Sequence, residues 1–371
     1  MRYRDTIKRH VRLLATGGAA ALALTIVAAV APGGPAARAA VSEAGPAITV
    51  ADGNSVIAAT TVTWGLNFYW NEYGTNNWHE EQVAGNGTTA FTAPSIAQVG
   101  NVVDIAARGI NNSLDFYWQV NGASGWNSEV VAGPGTTFSA PTVLQDGNGT
   151  IIAAEGPNNS LDFYWAVNGT ATWYPEAVAG AGTTYSAPAE IVNGNSVNIA
   201  AEGPGNSLDF YWAVNGTATW NPEVVAGAGT TLSAPAMVAN NGGVDIVAPV
   251  PGKSKLLDFY WAFNGNPTWN MENVLDFASS TAAMTTYPGG VHVVSVADAP
   301  FVLDFSNPNG TSTWNQYQVS PLQTGASVPS VTMNKGSENI AVIDTSGDLD
   351  FYWQDNSGHF HQEIVDSSGL L

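Results

Sequence analysis

The chain of 371 residues carries 30 acidic and 10 basic side chains, a formal charge of −20, and no cysteine. Disulfides, thiolate nucleophiles and cysteine-ligated metals are therefore excluded. So acidic a chain offers no basic stripe that could release counterions from a phosphate backbone, which argues against nucleic acid and disfavours anionic membranes and sulfated glycans.

Residues 1–39 read as a signal peptide. Arg2, Arg4, Lys8, Arg9 and Arg12 precede an apolar run at 13–31, and Ala37-Arg38-Ala39 offers an A-x-A cleavage site. The apolar run is nearly long enough to span a bilayer, so a retained anchor is the alternative. Gly17-Gly18 and the A-x-A site favour cleavage, leaving a secreted protein with no further membrane insertion. Beyond residue 39 there remain four basic and 29 acidic side chains, a charge of −25, with Arg108 the single arginine. The other polar residues are mostly Asn, Thr, Ser and Gly, which suit hydrogen bonding to neutral hydroxylated partners.

From residue 40 one short phrase recurs. It reads LNFYW at 66–70, LDFYW at 114–118, 161–165, 208–212 and 257–261, LDFSN at 303–307, and LDFYW again at 349–353. Successive leucines are 48, 47, 47, 49, 46 and 46 residues apart. A period in this range, carried by short strands and Gly-rich turns, predicts a radial repeat: an all-β, seven-bladed β-propeller of four-stranded antiparallel blades. The repeats run at about 44–91, 92–138, 139–185, 186–232, 233–280, 281–326 and 327–371. One repeat is too small to bury its own apolar faces, so residues 40–371 form a single domain. A core of about 330 residues needs no disulfide.

Repeat four gives the strand plan: A at 187–192, B at 197–202, C at 208–214 and D at 217–225. Asn193-Gly194 and Asn215-Gly216 are hairpin signals. The D-to-A segment, AGAGTTYSAP at 179–188 in repeat three, is the longest connection and fits a crossover between blades. The first repeat starts with its own strand A and the last ends with its own strand D, so the ring closes without an exchanged strand.

Twelve of the 13 tryptophans occupy two repeat positions, Trp64 being the exception. Trp70, Trp118, Trp165, Trp212, Trp261 and Trp353 end strand C. Trp78, Trp126, Trp173, Trp220, Trp269 and Trp314 open strand D, with His361 in that place in repeat seven and Asn307 for the first Trp in repeat six. A type I′ turn at Asn168-Gly169 would set Tyr164 opposite Trp173, on the same face as Asp162. Leu161, Phe163 and Trp165 would take the other face. Buried inter-blade packing is one reading of these rings; part-exposed platforms near the rim are the other. A pyranose presents apolar C–H faces to an aromatic ring and hydroxyls to acceptors. The candidate binding groups are thus Tyr117, Trp118 and Trp126; Tyr164, Trp165 and Trp173; Tyr211, Trp212 and Trp220. Asp115, Asp162, Asp209, Glu155 and Glu202 are the candidate acceptors. Repeat six, with Ser306-Asn307, should hold a dead site.

The G-x-x-N-S-L-D-F-Y-W-type strand, the Trp-opened last strand and the Gly-rich crossover resemble the seven-bladed bacterial propeller lectins, relatives of the tectonin-type repeat. The match covers 44–371 as a pattern of strands and aromatics. The resemblance implies a multivalent protein that binds neutral glycans between blades, fucosylated or O-methylated ones among the candidates. The six-bladed fucose lectins use an arginine with a glutamate at each site. With Arg108 alone, that mode of recognition does not carry over.

No cofactor, resident metal or catalytic constellation is read from the sequence. Gly169-Thr170-Ala171-Thr172-Trp173 resembles the end of a sialidase Asp-box turn, but Asn168 stands at the acidic position and the arginine triad is missing. Glycoside hydrolysis needs a carboxylate pair, and the acids here recur from blade to blade instead of breaking the symmetry once. His359 and His361 alternate with Glu363 on a terminal strand and read as surface residues. Asp52-Gly53-Asn54 and Asp146-Gly147-Asn148-Gly149 read as turns before calcium loops. The Asn-Gly-Thr sequons at Asn168, Asn215 and Asn309 likewise read as turns first. Three functions follow in order: a lectin, a ligand-free or protein-binding scaffold, and a glycosidase.

Overall fold

The computed structural model describes residues 44–370 apart from 73, 252–254, 264–265, 267, 279–280, 298–300, 310 and 322–324. The expected signal peptide lies outside the described residues. The chain is all-β: seven four-stranded antiparallel sheets, each a meander of consecutive strands. The blades run over 47–84, 95–132, 144–179, 189–226, 236–278, 283–318 and 330–366. Strand A of each blade lies beside strand A of the next, and that of blade 7 returns to blade 1, closing the ring.

In blade 4 the four strands are Ala189–Asn193, Ser196–Glu202, Leu208–Val214 and Asn221–Ala226. Strand C falls where the sequence put it. Strand D starts later, because the C–D turn is longer than two residues. In blade 3 the Val167 carbonyl accepts from Thr170 N–H at 3.0 Å, yet only Gly169 has positive φ, so the turn is not type I′. Trp173 pairs with Ala166, and Tyr164 with Pro175. The shift is two residues, an even number, so Tyr164 and Trp173 still share a face.

That face rule builds the core. Strand-C Tyr packs toward the preceding blade, while Leu and Phe of the phrase pack toward the following one. Between blades 2 and 3 the cluster joins Leu114 and Phe116 to Ile152 and Tyr164. Between blades 3 and 4 it joins Leu161 and Phe163 to Ile199 and Tyr211. Leu114, Leu161 and Leu208 are fully buried. Burying such a side chain contributes about 1.5–3 kcal/mol, and no blade can do so alone. Closure between blades 7 and 1 uses the same packing, with Ile57 and Tyr69 against Ile343, Leu349 and Phe351. Tyr69 Oη also donates to Asp366 Oδ2 at 2.6 Å.

Blade 6 breaks the pattern. Val302 pairs with Val296 and Ser306 with His292. By register, Val302 takes the place of the phrase's Leu and Ser306 the place of its Trp. Leu303 and Phe305 therefore pack back against blade 5, while Asp304 turns toward blade 7. A slip of one residue flips every side chain to the other face. The sequence alignment that put Asn307 at the Trp position is thus off by one. Blade 7 has a related offset: Phe360, which pairs with Gln354, is the counterpart of Trp173, and His361 instead stacks on Trp353 at 4.3 Å.

Candidate functional site: the inter-blade clefts

Each strand-C Trp faces the next blade, and each strand-D Trp faces the preceding one. The two tryptophans of one repeat thus line different clefts. Trp118 and Trp126, expected to act together, lie on opposite faces of blade 2. The pairs that meet are Trp70 with Trp126, Trp118 with Trp173, Trp165 with Trp220, Trp212 with Trp269, Trp261 with Trp314, and Trp353 with Trp78 across the ring closure.

A glutamate from strand D holds both tryptophans at three of these clefts and the strand-D tryptophan at two more. Glu176 Oε1 accepts from Trp165 Nε1 at 2.9 Å, and its Oε2 from Trp220 Nε1 at 3.3 Å. Glu223 accepts from Trp212 at 2.8 Å and Trp269 at 3.2 Å. Glu363 accepts from Trp353 at 2.9 Å and Trp78 at 2.8 Å. Glu129 accepts from Trp173 at 2.8 Å, and Glu272 from Trp314 at 2.9 Å. At the first cleft Glu81 accepts from Gln119 at 2.9 Å, while Trp126 Nε1 is buried without an acceptor. The strand-D Trp is also fixed from behind by the preceding blade's Phe. Phe116–Trp173, Phe163–Trp220 and Phe210–Trp269 are edge-on pairs 5.1–5.2 Å apart. A carboxylate has about four acceptor sites, so two indole donors leave it free to accept from a ligand hydroxyl.

Four of these clefts are cavities of appreciable size. Those between blades 2 and 3 and between 4 and 5 measure about 530 Å³ each, that between 5 and 6 about 410 Å³, and that between 7 and 1 about 160 Å³. Three fall within the range of small-molecule sites, about 300–1,000 Å³. The strand-B residue opposite the strand-C Trp forms the floor, and in these four it is polar: Asp104, Asn198, Asp245 and Asn339. At the clefts between 1 and 2 and between 3 and 4 it is Val56 and Ile151. Burial pushes Asp104 and Asp245 up to about 6, against the lowering effect of bonds from Thr150 and Asn240. Asn198 Oδ1 is buried without a donor.

The strand-C tryptophans at the six clefts are half-buried rather than core. Val120, Val214 and Phe263 line the clefts as apolar rim residues and are exposed. The antiparallel plan puts these clefts at the end of the ring that carries the A–B and C–D turns.

The other sequence-predicted candidates lie elsewhere. Tyr117, Tyr164 and Tyr211 are buried, and burial followed by the charge of Asp115, Asp162 or Asp209 pushes each phenol up to about 12. They are core rings and offer no platform. Asp115, Asp162 and Asp209 sit beside Gly109, Gly156 and Gly203 at the B–C turn, with burial raising each carboxyl. Glu155 Oε1 accepts from Asn159 Nδ2 at 2.7 Å, and Glu202 bonds Asn206 in the same way. Arg108 occupies that position in blade 2 and donates to Asn112 Oδ1 at 2.7 Å. These residues brace B–C turns at the far end of the ring. Glu176 and its repeats stood among the recurring carboxylates weighed for hydrolysis and not among the binding residues, and the strand-B floors were not singled out. Glu81, Glu129, Glu176, Glu223, Glu272 and Glu363 recur in the sequence at a fixed place in strand D. That recurrence was the available signal.

The cleft between blades 6 and 7 has neither tryptophan. Ser306 stands at the first Trp position, Phe360 at the second, and Tyr317, which pairs with Asp304, where the other blades have Glu.

No protein-family model matches the chain, and no curated protein matches it. Among solved structures, the BP39L lectin from Burkholderia pseudomallei is 17% identical with a TM-score of 0.79, covering 88% of this chain and 99% of the lectin. The fucose-specific lectin from Aleuria aurantia is 11% identical with a TM-score of 0.53, covering 74% and 95%. A prolyl endopeptidase matches at 12% identity and a TM-score of 0.57, over 87% of this chain and 50% of its own. At these identities the likeness speaks to architecture: the chain has a seven-bladed propeller fold that matches the fucose-specific propeller lectins.

Proposed function

We propose that this is an exported, multivalent carbohydrate-binding protein that takes neutral glycans in its inter-blade clefts. The observation that carries the reading is the recurring strand-D glutamate between two indoles, which at the cleft between blades 4 and 5 holds both Trp212 and Trp269 beside a cavity of about 530 Å³ floored by Asn198. A sugar C–H face stacks on the strand-C Trp, and its hydroxyls donate to the strand-D Glu and the floor residue. Each cleft is a modest site, since an aromatic contact adds only about 0.5–1.5 kcal/mol beyond area burial. Several clefts on one ring recover affinity for a displayed glycan, by roughly 10²–10⁴ in avidity. The neighbours' fucose ligands make fucosides reasonable probes, but the arginine-based mode is not open to this chain: Arg108 is bound to its own turn.

Two other readings fare less well. A ligand-free scaffold has no need of half-buried indoles or of the exposed rims at Val120, Val214 and Phe263. A glycosidase would use Asp104 with Glu129, or Asp245 with Glu272, yet the equivalent floors at Asn198 and Asn339 are amides. Amides at the same place serve hydrogen bonding, not proton transfer.

The test is a glycan array probed with the purified protein and with Glu223→Gln and Trp212→Ala variants. Binding to a class of neutral glycans, weakened in both variants, is the expected result. A blank array from well-folded protein would overturn the reading in favour of a protein partner. Export is tested separately by N-terminal sequencing of protein recovered outside the cell, which should begin near residue 40.

A further inference from the structure

The register slip in blade 6 has a chemical result in the cleft that lacks tryptophans. Asp304 stands where the other blades have their core Phe, His292 where they have the floor residue, and Glu338 enters from strand B of blade 7. All three are buried, Asp304 and Glu338 completely. His292 Nδ1 lies 3.0 and 3.1 Å from the two oxygens of Asp304 and 3.3 Å from Glu338 Oε2. A single nitrogen is thus ringed by three carboxylate oxygens, though it can donate only one hydrogen bond. Glu338 is fully buried and shares a side-chain hydrogen bond with Asp304. Tyr287 closes the cluster by packing its ring on His292, centroids 4.6 Å apart.

We infer that His292, Asp304 and Glu338 form a binding site for one divalent first-row transition-metal ion between blades 6 and 7. Three facts about the cluster converge. Its ligating atoms all lie within 4.8 Å of one another. Donors bonded to one ion at about 2.0–2.2 Å stand roughly 3.0–3.5 Å apart, which is the spacing found around His292. The two buried carboxylates face one imidazole and share a hydrogen bond with each other, so they hold a proton that a bound ion would displace. A divalent cation with neutral His292 balances Asp304 and Glu338 to zero. It also takes the place of the proton held between Asp304 and Glu338. Imidazole with two carboxylates suits zinc or manganese better than magnesium or calcium, which favour oxygen alone. Three protein donors leave the remaining positions to water. Placed between two blades, the ion would also stitch the cleft that has neither tryptophan.

The experiment is a zinc titration by isothermal calorimetry on chelator-stripped protein, after long equilibration because the cluster is buried. It is run in a His359→Ala/His361→Ala background to remove the exposed histidine pair near Asp355. One zinc per chain is expected, with Mg²⁺ far weaker. Loss of a ligand should exceed the about 10–100-fold that loss of a supporting contact costs, so E338Q and H292N should each weaken binding by more than about 100-fold. Zinc should also raise the melting temperature of the background protein, a readout that does not depend on either variant folding. No saturable uptake at micromolar free zinc, an unmoved melt, or equal binding in E338Q and H292N would each overturn the site.

Discussion

Trp212 shows what a single side chain contributes to a cleft. It donates to Glu223, stands opposite Asn198, and exposes part of its ring to a cavity of about 530 Å³. Trp212→Ala should weaken glycan binding at that cleft by about tenfold or more, ~1.4 kcal/mol, and leave near-ultraviolet circular dichroism from the other blades largely intact. Loss of all binding together with global unfolding would instead assign this ring to the core. Trp64 is a different case. It is 49% exposed and sits at φ 61°, at the turn position that Asn112, Asn159 and Asn206 fill in later blades. A bulky residue in the left-handed region costs about 1–2 kcal/mol, and Asn tolerates it. Trp64→Asn should therefore stabilise the protein by up to about 1 kcal/mol in a denaturant melt. Which residues form the clefts was only partly legible at this scale. The tryptophans announced themselves by repetition. Tyr164 and Asp162 repeat just as faithfully, because the core repeats too, and repetition alone cannot separate a core ring from a cleft ring.

At the scale of the element, the strand plan was legible because turn chemistry and alternation both repeat. The B–C turn illustrates how tightly it is built. Gly156 N–H donates to the Ser160 carbonyl at 2.8 Å, and the carbonyls of Asn158 and Asn159 accept from the crossover at Gly182, Thr183 and Thr184. A Cβ on Gly156 would come within 2.1 Å of Asp162 Oδ2 and 2.4 Å of Ser160 Oγ. Gly156→Ala should destabilise by about 1–3 kcal/mol, measured by thermal or denaturant unfolding. No change in midpoint would mean that the turn gives way freely. Two features at this scale escaped the sequence reading. The C–D register depended on a two-residue turn that the chain does not make. In blade 6 the triplet Leu303-Asp304-Phe305 mimics the phrase while Val302 takes its leading place, so the true alignment shows only in the pairing of Val302 with Val296. That slip brings Asp304 to His292 and Glu338, a grouping drawn from two blades that no local motif announces.

For the whole molecule, burial and charge act in the same direction on pH dependence. Burial raises Asp104, Asp245 and Asp350 to about 6 and Glu190 to about 8, well above unfolded carboxyls near 4. Folding therefore takes up protons between about pH 4 and 8. The stability cost of these groups is present in full above their folded values and is relieved as pH falls. Loss of negative charge from a chain of −20 adds to the effect by easing self-repulsion. The melting temperature should rise by a few degrees from pH 8 to pH 5, and a fall across that interval would contradict the assigned burial. Seven blades, their order and the ring closure were legible because one period governs the chain from end to end. The differences between clefts were not, since floors such as Asn198 and Ile151 vary at a position whose partner lies across the sheet.

Neutral glycans bound between blades imply several sites per chain, and calorimetric stoichiometry counts them. The purified protein is titrated with a monovalent form of the sugar selected on the array, alongside Trp212→Ala and the double variant Trp118→Ala/Trp212→Ala. More than one site per chain is expected, one fewer in the single variant and two fewer in the double. A stoichiometry of one, or a site number unmoved by either variant in folded protein, would place the ligand somewhere other than these clefts.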